Sequence, residues 1–88
     1  MRIQIRRTGG FAGTERRGEV DASKRSDADE WQSLAEASLA AGHEEPPVGV
    51  PDGFSYQITV DERTTYCSDP RLTDAQRKLI TRVLKEGD

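Results

Sequence analysis

His43-Glu44 opens like H-E-x-x-H, the helical motif in which two histidines one turn apart hold zinc and the glutamate serves as general base. Residues 45 to 47 are Glu-Pro-Pro, so the second histidine is missing and the prolines forbid the helix. Cys67 and His43, each the single residue of its kind, could form a thiolate–imidazole pair. Such a pair needs a base-orienting carboxylate or an oxyanion device, and none is identifiable beside Cys67, which reads as a structural cysteine. Gly9, Gly10 and Gly13 miss the spacing of G-x-G-x-x-G, and no phosphate loop exists. The sequence therefore predicts no catalytic residue, no metal site and no cofactor.

What remains is "RRTGGFAGTERR", residues 6 to 17. A glycine cluster marks a backbone driven to positive φ, or one that another molecule approaches closely. Phe11 stands among these glycines with two arginines on either side. Residues 1 to 17 hold five arginines against Glu15, a local +4, which leaves −7 on the remainder of a chain whose net charge is −3. The hairpin is basic on an acidic body. Phosphates of a nucleic acid would suit the arginines, but the body repels them and Phe11 alone could stack on a base, so nucleic acid is disfavoured as a partner. Arg2, Arg6 and Arg17 read equally well as a solvated strand face whose stems cover apolar surface.

The elements that position this stretch follow from periodicity. Ile3 and Ile5 alternate with Arg2, Gln4 and Arg6 in a half-buried strand over 2–7, and 14–21 is its partner across the glycine turn, with Thr14, Arg16, Gly18 and Val20 facing inward. Ser26 with Asp29 resembles a capping box, ahead of an apolar face of Trp31, Leu34, Ala35, Ser38 and Leu39 that Gly42 can stop. Three prolines stiffen the loop "GHEEPPVGVPDG", residues 42 to 53. Phe54, Tyr56, Ile58 and Val60 alternate as a third strand, residues 61 to 63 turn it, and 64–67 return as a fourth. Thr73 with Gln76 is a second capping box, before the apolar face of Leu72, Leu79, Ile80, Val83 and Leu84. The order ββαββα predicts an α+β fold: a four-stranded antiparallel sheet with both helices on one face. A helix running back along the second strand returns the chain to the end it left. The proline loop is thus expected at the same rim as the glycine turn, which brings Gly9, Gly10, Phe11, Ala12 and Gly13 near Val48, Gly49, Val50 and Pro51.

Eighty-eight residues are read as a single domain, 1–88, with too small a core for an enclosed active site. One cysteine forms no intramolecular disulfide, and neither a signal peptide nor a membrane-length segment is visible. The expectation is a cytoplasmic, monomeric protein without membrane contact.

Arg7-Thr8-Gly9-Gly10-Phe11-Ala12-Gly13, Val20-Asp21 and the strand Pro51-Asp52-Gly53-Phe54-Ser55-Tyr56-Gln57-Ile58-Thr59-Val60 resemble the emfourin family, small protein inhibitors of thermolysin-like zinc metalloproteases. The correspondence spans nearly the whole chain and departs from the pattern at Thr14 and Gly18, where larger apolar residues are expected, and in "TTYCSDP". The resemblance implies an inhibitor, not an enzyme, whose partner is a thermolysin-like metalloprotease. Such enzymes prefer a large apolar residue just after the scissile bond, so Gly10-Phe11-Ala12 and Gly49-Val50-Pro51 look like substrate stretches, and Arg7 and Arg16 become candidates for electrostatic steering. Phe11 reads equally as a core residue folded beneath its own turn, and Val48 and Val50 as a loop packed on Trp31 or on the end of the sheet. The alternative function is a non-catalytic binding module that uses the basic hairpin on an acidic protein or RNA.

Overall fold

A computed structural model describes residues 1–9, 15–46, 53–69 and 71–87. The strands are β1 (Arg2–Gly9), β2 (Arg16–Asp21), β3 (Phe54–Val60) and β4 (Arg63–Ser68), and the helices α1 (Ala28–Ala41) and α2 (Asp74–Glu86), in the order ββαββα. They form one antiparallel sheet of order β2-β1-β3-β4. Both alternating apolar strands, β1 and β3, are therefore central, and the weakly patterned β2 and β4 take the edges.

Register aligns the inward residues in rows: Ile3 faces Val20 on one side and Val60 on the other, and Ile5 faces Gly18 and Ile58. These side chains meet Leu79, Ile80 and Val83 of α2 and Trp31 and Ala35 of α1 in a single buried cluster. Full burial of a side chain of this size stabilises by roughly 1.5–3 kcal/mol. The opposite sheet face carries Arg2, Gln4, Arg6, Thr8, Arg17 and Glu19 without a helix above it.

Gly18, an apparent departure from the inward pattern, has a packing reason. A Cβ there would lie 2.9 Å from the Val83 carbonyl oxygen and 3.3 Å from Leu84 Cα, so the missing side chain is what lets α2 lie on β2. Gly42 stops α1 in extended conformation at φ −85°, where a side chain would collide with Thr65.

The second capping box forms as expected: Thr73 Oγ1 accepts from Gln76 N–H at 3.1 Å and Gln76 Oε1 from Thr73 N–H at 3.0 Å. The first does not. A 3-10 turn, Ala22–Lys24, capped by the Asp21 side chain, intervenes after β2, and α1 starts one residue later than Ser26 would place it, at Asp27, which makes no side-chain cap. The Asp27 carboxylate is committed elsewhere. It accepts from Trp31 Nε1 at 3.0 Å and from Arg82 at 2.6 Å, tying α1 to α2, and Arg82, which donates to it, is the leading reason its pKa lies below the ordinary 3.8. The Arg82 guanidinium also stacks on the Trp31 ring at 4.1 Å, an arrangement that supports the cation electrostatically.

Candidate functional site

The geometry of the rim begins with which residues pair at the end of β1. Gly9, its last residue, is opposite Phe54, the first of β3. Gly9 has φ +107°, and a Cβ there would stand 3.1 Å from the Gly53 carbonyl oxygen. Both readings of a glycine cluster thus apply at this one position: left-handed backbone and close approach. On the other side of the proline segment, Gly42–Pro46 runs along the free edge of β4. His43 exchanges two 2.9 Å backbone hydrogen bonds with Tyr66, and exposed Pro46 borders a shallow depression on the open sheet face with Arg6, Thr8, Ser55, Gln57 and Tyr66. Of the described residues on either side of segment 47–52, Gly53 adjoins the end of β1, from which segment 10–14 continues, and Pro46 borders the same end of the open face from the β4 edge.

Of the predicted site residues, Gly9, Arg7 and Arg16 are described. Gly10, Phe11, Ala12, Gly13, Val48, Gly49, Val50 and Pro51 lie outside the described residues. Arg7 and Arg16 are cross-strand partners. Arg16 donates to the Leu84 carbonyl oxygen at 2.8 Å, which satisfies a carbonyl in the last turn of α2. Arg7 lies 4.3 Å above the Phe54 ring, and its buried Nε has no hydrogen-bond partner among the described residues. The other hairpin arginines are on the open face in ion pairs: Arg6 with Glu15 at 3.0 Å, Arg17 with the same carboxylate, and Arg2 with Glu19 at 3.3 Å. Hydrogen bonds from Arg17 and then Arg6 hold the Glu15 carboxyl below its ordinary range.

Trp31 is fully buried, with Arg82 and Arg25 against its ring. It stands in the first turn of α1, next to the end of β2 remote from Gly9.

Reasoning from sequence missed Asp69. Its N–H donates to the Phe54 carbonyl at 2.9 Å and its carboxylate accepts from Phe54 N–H at 3.3 Å. It also supplies the carboxylate near Cys67 that the sequence did not reveal, with an effect opposite to activation. Burial first, and Asp69 second, push the Cys67 thiol up to about 11, and the same two causes raise the Tyr56 phenol. A thiol so protonated is a poor nucleophile. The signal available in sequence was the Asp69-Pro70 pair sitting one hairpin, 15 residues, from Phe54. Among the described residues no three His, Cys, Asp or Glu side chains come together as a metal site, and no helix is long and apolar enough to cross a membrane.

No curated protein matches the chain, and no solved structure does. A family model named Emfourin matches residues 5–84, a span that runs from β1 into the last turn of α2 and includes the root of both rim segments. The chain belongs to the Emfourin family.

Proposed function

We propose that this chain inhibits thermolysin-like zinc metalloproteases by occupying the substrate cleft with residues 9–13 and 48–51, without chemistry of its own. Family membership carries the inhibitor role. The placement of Gly9 against Gly53 supports the choice of rim, because one end of the sheet then roots two apolar, substrate-like stretches. Pro51 follows the residue that would fill the specificity pocket and disfavours cleavage there, while glycines let a narrow cleft close over the main chain. Ordering a loop before binding reduces the entropy lost on association. The alternative, a basic hairpin docked on an acidic protein or RNA, draws less support: Arg2, Arg6 and Arg17 already face Glu15 and Glu19.

Titration of thermolysin with the protein tests the reading. Burying one apolar tip is worth about 1.5–3 kcal/mol, or roughly 10- to 150-fold in inhibition constant. Phe11→Ala and Val50→Gly should each weaken inhibition by that factor. Glu62→Ala, exposed in the β3–β4 turn at the opposite end of the sheet, should leave it unchanged. The reverse pattern places the wrong end of the molecule in the cleft. Arg7 and Arg16 are assigned to steering on the same reading: replacing both by glutamine should slow association, as added salt does, more than it speeds dissociation. Equal association rates for wild type and double variant remove steering from the account.

A further inference from the structure

We infer that Asp69 is a positioning residue for the rim, holding the Gly53–Phe54 stem beside Gly9 in one geometry. The inference deepens the inhibitor reading and rests on it.

β4 ends at Ser68, opposite Ser55, so the regular ladder stops one residue short of Phe54. Asp69 continues it by other means. Its backbone N–H takes the Phe54 carbonyl, and its carboxylate stands in for the strand carbonyl that Phe54 N–H would otherwise lack. Both backbone groups of the stem residue are thus held by a single residue, one of them through a charge-assisted bond. Contact extends to the residue before. A Cβ on Gly53 would lie 2.8 Å from Asp69 Cβ, so the stem passes directly against this side chain. The ring of Phe54 is gripped from the other direction, by the Arg7 guanidinium at 4.3 Å and the tilted Tyr56 ring at 6.5 Å. Gly9, with Phe54 Cα 3.7 Å from its virtual Cβ, completes the cluster. Phe54, Asp69 and Arg7 are only partly buried and stand outside the fully buried cluster built on Ile3, Ile5, Ile58 and Leu79. Their contacts order the root of a segment more than they add to the core, and an ordered root lowers the entropy lost when that segment binds.

The test combines inhibition of thermolysin with amide hydrogen exchange. In the free wild-type protein Phe54 N–H should be protected well beyond a random coil. Asp69→Ala should raise the inhibition constant about 10- to 100-fold, the range expected for losing a hydrogen bond to a charged group. It should also speed Phe54 exchange while leaving Ile58 exchange within about 3-fold of wild type, as local rather than global opening requires. Asp69→Asn keeps an acceptor oxygen and should recover most of the lost inhibition. Three results overturn the proposal: random-coil exchange of Phe54 in the wild type; wild-type inhibition by Asp69→Ala despite faster Phe54 exchange; or loss of Ile58 protection in Asp69→Ala, which would make Asp69 a general stability residue. A wild-type chain that does not inhibit thermolysin sinks the inhibitor reading instead, and the exchange data then still decide whether the clamp exists.

Discussion

Gly18→Ala adds one methyl group at the contact between β2 and α2, and the structure sets its cost. The new Cβ would meet the Val83 carbonyl oxygen at 2.9 Å, Val83 Cγ1 at 3.2 Å and Leu84 Cα at 3.3 Å. Two of these three atoms are backbone, which a rotamer change cannot move, so α2 as a whole must retreat by a few tenths of an ångström. That helix carries Leu79, Ile80 and Val83 into the core, and each loosens with it. Overpacking of this kind costs about 1–3 kcal/mol, offset by the roughly 0.5–1 kcal/mol that alanine gains over glycine inside a strand. The balance is a loss of roughly 1 kcal/mol, or about 4–8 °C in Tm for a domain of this size. Thermal unfolding followed by circular dichroism measures it directly. Gly18→Val should be worse, because its second shell of atoms is aimed at the same helix, although valine is the better strand former. A rise in Tm for Gly18→Ala would refute the reasoning, since it would mean that α2 does not touch β2 at this distance.

Two further expectations concern titratable groups. The Asp27 pKa is depressed, chiefly by Arg82, so its contribution to stability is complete above its ordinary value of 3.8 and is lost as pH falls below it. Asp27→Asn should therefore flatten the acid limb of a Tm–pH profile without abolishing it, since Glu15 and Asp21 are depressed as well, and an unaltered limb would exclude Asp27 as a contributor. Cys67, 4 % exposed with its thiol pushed up from the ordinary 9.0 to about 11, should react with a thiol reagent at pH 8 about 100-fold more slowly in the native protein than in urea. Rapid stoichiometric labelling of the native protein would contradict that burial.

Local chemistry written in the sequence translated directly into structure where no distant residue competed for it. The period-2 runs of β1 and β3 and the Thr73–Gln76 box needed nothing from elsewhere. The Ser26–Asp29 box has the same outward form and failed, because Asp27 found Trp31 Nε1 and, from the other end of the chain, Arg82. A long-range ion pair is invisible to spacing rules. Gly18 shows the same blindness from the opposite direction, since a glycine in an edge strand looks like a defect until the helix that needs the space is present.

The sequence by itself determined the element order, the sided burial of both helices and the absence of a recognisable catalytic or metal motif, because these depend on residue type and period alone. It also implied a shared rim for the glycine and proline segments, since a helix of strand length can only return the chain to where it began. Tertiary structure alone decided the strand order, which puts β1 beside β3 and so sets Gly9 against Gly53. It alone decided that Arg16 caps α2, that Arg7 covers Phe54 and that Asp69 extends β4 to hold the stem. The physical reason is the same in each case: hydrogen bonds and stacking contacts between residues 15 to 68 positions apart depend on distances that only the packed sheet and helices create.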